Sequence, residues 1–367
     1  MTNQELLYVL ALQNVANIGD TTAKKLLQYC HTAEGVFKEK KQNLLKIDGI
    51  GEFALMDLHN ANHRIAAEQE LRYIRENNVG CHFFMDADYP ERLKHAIDGP
   101  ILLFSSGNIN LKNRKILSIV GTRKATTSGA AFCEKLIDAI APLDPVIVSG
   151  FAYGMDITAH KAAIKNNLQT IACLAHGLNQ IYPRTHRSYV KQLEANGGFF
   201  TDFWSNSEPE RENFLKRNRI IAGLSEATVV IESAEKGGSL VTADIANSYN
   251  REVFAVPGRP TDLMSLGCNN LIKQQKAHLL TTAADLVYML NWQTDEIISK
   301  PLQKQLFVEL DEPEKIIYGF LRENNKEQLD IIALKCGMPT FRVASLLLNM
   351  ELKGVIRPLP GKQFELV

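Results

Sequence analysis

Ile116-Leu-Ser-Ile-Val-Gly-Thr-Arg123 decides how this chain is expected to fold. An apolar, β-branched run enters a glycine turn and ends on an arginine. A run that is apolar nearly throughout, rather than alternating with polar residues, reads as a strand buried on both faces. Four comparable runs follow: Pro145-Val-Ile-Val-Ser149, Thr170-Ile-Ala-Cys-Leu174, Ala227-Thr-Val-Val-Ile231 and Glu252-Val-Phe-Ala-Val256. Helical stretches separate them. This alternation predicts an α/β domain over 81–292, a Rossmann-like parallel sheet covered by helices on both faces. Ligands of such sheets bind at the carboxyl ends of the strands.

The flanks read differently. Residues 1–80 show helical periodicity, as in Leu6, Leu7 and Leu10 and again in Ala23, Leu26 and Leu27. Two glycine turns, Asn17-Ile-Gly-Asp20 and Asp48-Gly-Ile-Gly51, each stand before an expected helical segment. They read either as helix-hairpin-helix turns of a SAM-like domain, able to hold a phosphate on backbone N–H groups, or as ordinary tight turns of a small bundle. Residues 293–310 lack periodicity and read as a linker. Residues 311–367 predict three helices, Glu314–Glu323, Gln328–Lys335 and Thr340–Lys353. A hairpin of Val355–Arg357 with Gln363–Leu366 follows, turning at Pro360-Gly361, which is the winged-helix pattern.

Composition narrows the function. Lys plus Arg and Asp plus Glu are 41 each, so net charge is zero. A binder that is basic all over is excluded, while a local basic cleft is not. The six cysteines are scattered without a C-x-x-C pair, so neither a zinc ribbon nor a disulfide framework is signalled and no metal is expected. Reduced thiols predict a cytoplasmic protein. No stretch is apolar enough to span a bilayer, so no membrane contact is expected.

Five motifs carry the chemistry. The Gly121-Thr-Arg123 turn precedes a helix with Thr126-Thr-Ser-Gly129 at its start, where N–H groups, helix dipole and guanidinium converge on an anion. Ser149-Gly150-Phe-Ala-Tyr-Gly154-Met-Asp156 repeats the strand-to-helix turn. Asp156 and His160, one helical turn apart, form either an acid–base pair or a structural hydrogen bond. Gly177-Leu-Asn-Gln-Ile-Tyr182-Pro183 leads into Arg184, His186 and Arg187, which either track a nucleic-acid backbone or form a solvated face. Arg211-Glu-Asn-Phe214-Leu-Lys216-Arg217-Asn-Arg219 places four cations within nine positions around one aromatic. Charge for phosphate and a ring for base stacking are what single-stranded DNA needs. The alternative is that Phe214 packs in the core with Arg217 and Arg219 structural. Lastly, Glu232 ends a strand, and Lys236-Gly-Gly-Ser239 forms another anion-friendly turn. No dinucleotide fingerprint or P-loop is present, so no cofactor is expected.

These blocks, in this order over residues 85–290, resemble the DNA-processing protein A (Smf) family. Phe214-x-x-Arg217-Asn-Arg219 and Arg251-Glu-Val-Phe-Ala-Val-Pro-Gly258 carry the resemblance most specifically. It implies a homodimer that binds single-stranded DNA without strong sequence preference. It further implies that the protein helps load RecA recombinase during natural transformation, and is no enzyme. Carried over residue by residue, Arg123, Ser149 and Gly150 would hold phosphate. Phe214 would stack on a base, supported by Arg211, Arg217 and Arg219; the motifs themselves add Lys216, Lys236 and Ser239 as candidate DNA contacts. The chain departs from the family pattern at Gly237, where a serine is usual, at His186, where asparagine is common, and at Lys276-Ala277, in place of Gly-Ala. A competing reading is a nucleotide N-glycosidic hydrolase of the lysine-decarboxylase-like fold with Glu232 as its carboxylate, although the P-G-G-x-G-T-x-x-E motif of that fold is absent.

Overall fold

The apolar runs pair side by side, as continuous hydrophobicity demands. The structure, a computed structural model, describes residues 1–292, 310–359 and 363–366. They divide into two units, within Met1–Trp292 and within Gln293–Val367.

In the first unit the strands are β1 (Gly80–Phe83), β2 (Leu102–Asn108), β3 (Ile116–Gly121), β4 (Val146–Ser149), β5 (Thr170–Cys173), β6 (Gly197–Thr201), β7 (Ala227–Ile231), β8 (Glu252–Ala255) and β9 (His278–Leu279). They form one sheet in the order β1-β2-β6-β5-β4-β3-β7-β8-β9. From β6 to β9 neighbours are parallel, while β1 and β2 add an antiparallel edge. That edge departs from a purely parallel expectation. Strands β4, β5 and β6 lie to one side of β3, and β7, β8 and β9 to the other. The chain therefore switches direction between β3 and β7, where open α/β sheets leave a crevice at the carboxyl edge. Every residue of β4, β5, β6 and β7 is buried.

The N-terminal helices share the core of the sheet. Leu10, Leu26 and Leu71 lie in one apolar cluster with Phe104, Val120 and Val148. Polar groups reinforce that packing. Arg219 sits between Asp20 (2.9 Å) and Asp202 and also donates to the Asp98 carbonyl. The Asp20 carboxylate additionally accepts from the Ile101 amide at 2.8 Å. Glu70 accepts from the amide and hydroxyl of Ser205 at 2.8 and 2.7 Å.

This geometry corrects two expectations. Arg219 is occupied by carboxylates and a carbonyl, so it clasps the N-terminal helices to the sheet instead of supporting Phe214. The Gly19-Asp20 turn faces that clasp. The second turn, at Gly49 and Gly51, is followed by a string of turns through His59 rather than by a regular helix.

The second unit contains helices Glu312–Asn324, Leu329–Lys335 and Thr340–Leu352, with a small sheet of β10 (Lys326–Gln328), β12 (Gln363–Leu366) and β11 (Ile356–Leu359). Ile317, Leu321, Ile332, Val343, Leu347, Met350 and Ile356 fill its core. Buried Glu314 closes a capping box with Asp311 and meets Lys353 at 2.5 Å. This is a winged helix. The expected turn at Pro360-Gly361 and all but the last residue of the 293–310 linker lie outside the described residues. Among the described residues, no single helix is long and apolar enough to cross a membrane.

Arg219→Met should destabilise the protein by about 3–5 kcal/mol, because it strands the buried Asp202 carboxylate without a countercharge. Urea unfolding followed by circular dichroism reads this, and a loss below about 1 kcal/mol would show the clasp to be ornamental.

Candidate functional site

Three loops leave the carboxyl edge at β3, β4 and β7 and are tied together by their backbones. The Thr122 amide donates to the Glu232 carbonyl at 2.7 Å, and the Met155 amide donates to the Thr122 carbonyl at 3.0 Å. Gly154, at φ 75°, allows this approach, since a Cβ there would meet the Thr122 carbonyl at 2.3 Å. Phe151 and Glu232 also hold positive φ, 59° and 56°. Such backbones persist where the surroundings over-determine them, often beside a binding site.

Glu232 supplies part of that determination. Its carboxylate accepts from the Thr126 amide at 2.9 Å and from the Thr126 hydroxyl. Thr126 in turn caps the helix Thr127–Ile140 by accepting from the Gly129 amide at 3.1 Å. The carboxylate wanted by a hydrolase is thus committed to a loop clamp.

The helix Arg211–Leu224 crosses this edge. Residues three and four apart share a helix face, so Phe214, Arg217, Asn218 and Ile221 all line one cleft. The cleft has a volume of about 720 Å³ and is also lined by Thr122, Arg123, Arg211, Lys236, Gly238 and Ser239. Arg123, Arg211 and Lys236 are exposed and form no ion pair among the described residues. Phe214 is half-buried between two guanidinium groups, with Arg123 at 5.0 Å and Arg217 at 5.8 Å from its centroid. The helix Gly238–Ser248 starts at the opposite wall without a side-chain cap, so its first N–H groups are open to an anion.

The expected contacts sort into two groups. Arg123, Arg211, Phe214 and Lys236 surround the cleft as exposed or half-buried side chains. The others do not present a free group to it. Arg217 is only 4% exposed and donates to the carbonyls of Gly150 (2.6 Å) and Cys173. Burial lowers its pKa, and the facing Asp156 partly restores it. Arg217 is a strut beneath Phe214. Ser149 is buried and donates to the Ile119 carbonyl at 2.6 Å, so its hydroxyl ties β4 to β3 rather than holding phosphate. Gly150 matters for its missing side chain, because a Cβ would lie 2.6 Å from Asp156 and 2.7 Å from Arg217. The Ser239 hydroxyl turns inward to Ser233 at 2.9 Å. Lys216 is exposed on the far flank, lining a separate cleft with Asp20 and Arg219. At Gly237, where a serine is usual, a Cβ would lie 2.2 Å from the Ser233 hydroxyl, which already fills that space.

The Asp156 and His160 alternatives also separate. The Asp156 carboxylate accepts from the Ala152 amide at 3.3 Å, and His160 bonds Thr170 at 2.7 Å. The first bond tightens the loop beneath the cleft, and the second ties the helix Met155–Lys165 to the start of β5. His186 is buried on the Phe151 carbonyl (3.0 Å), while Arg184 and Arg187 remain exposed. Sequence reasoning missed Asn218, whose place four residues after Phe214 was the available signal.

Comparison with known proteins gives concordant matches. The family model for DNA recombination-mediator protein A matches residues 80–291, and that for the DprA winged helix domain matches residues 308–362. Protein Smf of Escherichia coli is 34% identical over 81% of this chain and 80% of its own length. The X-ray structure of DNA processing protein A from Streptococcus pneumoniae superposes with a TM-score of 0.66 at 31% identity, covering 78% of this chain and 98% of that one. The Helicobacter pylori DNA processing protein A, described structurally for its single-stranded DNA binding mode, aligns at a TM-score of 0.53 and 26% identity over 58% of this chain and 95% of its own.

Burial holds the His160 pKa down to about 3, against 6.5 in the unfolded chain. The unfolded state therefore binds a proton that the folded state refuses. The resulting stability is complete above pH 6.5 and is lost as pH falls toward 3, by up to about 1.4 kcal/mol per unit. His160→Gln should flatten the stability–pH curve between pH 6.5 and 4, measured by urea titration at each pH. Equal slopes in both proteins would contradict the assignment.

Proposed function

Since the chain belongs to the DNA recombination-mediator protein A family, we propose that it binds single-stranded DNA in the cleft between the β3 and β7 loops. One observation carries this reading: three exposed cations that form no ion pair among the described residues, Arg123, Arg211 and Lys236, line one cleft with the half-buried ring of Phe214 at the switch point of the sheet. Phosphates meet the cations and the open helix start, and an unpaired base meets the ring. Duplex DNA hides its bases from such a ring. Cations that meet phosphates and a ring that stacks on any base make the binding sequence-tolerant.

The finer assignments belong to the same proposal. Arg123, Arg211, Phe214 and Lys236 touch the strand, while Ser149, Gly150 and Arg217 shape the site from beneath. The protein acts as a homodimer that helps RecA onto the bound strand during natural transformation. Six free thiols among the described residues fit a cytoplasmic location. Residues 81–292 form the DNA-binding domain, with 1–80 and 311–367 as accessory domains. The binding is not enzymatic, and the N-glycosidic hydrolase reading is disfavoured by the engagement of Glu232 with Thr126.

Fluorescence anisotropy with labelled single- and double-stranded oligonucleotides across a salt series tests the proposal. The single strand should bind more tightly, with log affinity falling by about 0.7 per phosphate contact for each unit of log salt. Arg123→Ala should weaken binding and reduce that slope by about 0.7. Phe214→Leu should cost roughly tenfold in affinity with little change in slope. Equal affinity for both forms of DNA, or no salt dependence, would overturn the reading.

A further inference from the structure

Two exposed aromatic rings adjoin residues of the cleft. Tyr182 stands edge-on to Phe214 with centroids 6.0 Å apart and is 41% exposed. Tyr153 directly follows the cleft residue Ala152 and is 45% exposed. Its ring rests edge-to-face on buried His186 at 5.2 Å, and its hydroxyl accepts from Thr185 at 3.4 Å. Both rings are thus held in place before any ligand arrives, which lowers the entropy lost on binding. The short 3-10 helix that follows Tyr182-Pro183, Arg184–Tyr189, carries Arg184 and Arg187, which are exposed and form no ion pair among the described residues. Phe214, by contrast, is half-buried, with a guanidinium at 5.0 Å and another at 5.8 Å from its centroid.

We propose that Tyr153 and Tyr182 form a second stacking platform that continues the cleft and takes further unpaired bases of the same strand, with Arg184 and Arg187 beside its phosphates. Resting on the single-stranded DNA reading above, this names the ligand chemistry of a rim that reading leaves empty. Isolated surface tyrosines are common on soluble proteins. What distinguishes these two is their continuity with the cleft, their fixed ring positions and the adjacent unpaired cations, the combination by which proteins track single strands.

The test uses the full chain and a series of oligothymidylates of increasing length. For the wild type, affinity should climb with length until the rim is filled. The Tyr153→Leu/Tyr182→Leu variant should match wild type on the shortest oligonucleotides that bind and plateau about tenfold or more lower on long ones, with the salt slope unchanged. Phenylalanine at both positions should restore the wild-type plateau. Replacing the distal thymidines by abasic residues keeps the phosphates and should lower wild type to the level of the leucine variant. Should the leucine variant follow the wild-type curve at every length, the platform is refuted and the cleft reading stands. If the wild type binds no single strand at all, the cleft reading falls and takes the platform with it.

Discussion

A single buried guanidinium organises the site. Arg217 is almost fully enclosed and spends its donors on the carbonyls of Gly150 and Cys173, at the ends of β4 and β5. A charge in that position is tolerable only with hydrogen-bond acceptors and a countercharge close by. The carbonyls supply the first, and Asp156, across the Gly150 α-carbon, supplies the second. The helix Arg211–Leu224 is thereby fixed across the sheet edge. Phe214, one turn earlier, is held at the cleft wall, where it meets Arg123 from the β3 loop.

The same helix uses a second arginine for a different purpose. Arg219 lies two residues beyond Arg217, on another flank of the helix. There it joins Asp20 of the N-terminal helices to Asp202 of the segment after β6. One helix therefore braces the cleft on one flank and the N-terminal packing on another. The proposed strand contacts, Arg123 above all, stay exposed at the cleft. The three loops around them are locked by backbone contacts, by the Glu232 clamp on Thr126 and by buried Ser149, so the cleft is formed before a strand arrives.

Much of this was legible in the sequence, and the limits have physical causes. The runs that became β3, β4, β5, β7 and β8 announced themselves because strands buried on both faces are apolar throughout. The strand β6 did not, because it opens on Gly197-Gly198, at φ 133° and 152°, and a glycine pair carries no apolar strand signal. The antiparallel edge of β1 and β2 fades into polar residues at its ends. Among the candidate site residues, Arg123, Arg211, Phe214 and Lys236 line the cleft. Arg217, Arg219, Ser149 and Ser239 carry the same residue types yet face inward. Burial depends on partners distant in sequence, such as Asp20, Gly150, Ile119 and Ser233, and no local pattern reveals it. The two tyrosines of the rim were read as parts of turns because their exposure is likewise a tertiary property.

On the proposed reading, a locked frame with exposed cations and one flanked ring grips a flexible, charged, unstacked polymer. Hydrogen–deuterium exchange of the full chain, with and without oligothymidylate, tests that claim most directly. The account predicts slowed amide exchange in the β3 loop around Thr122–Thr126, at Arg211–Arg217 and at the start of the helix Gly238–Ser248, with the Thr340–Leu352 helix unchanged. Slowed exchange confined to Thr340–Leu352 or to the glycine turn at Gly49 and Gly51, with the three cleft segments unaffected, would contradict it.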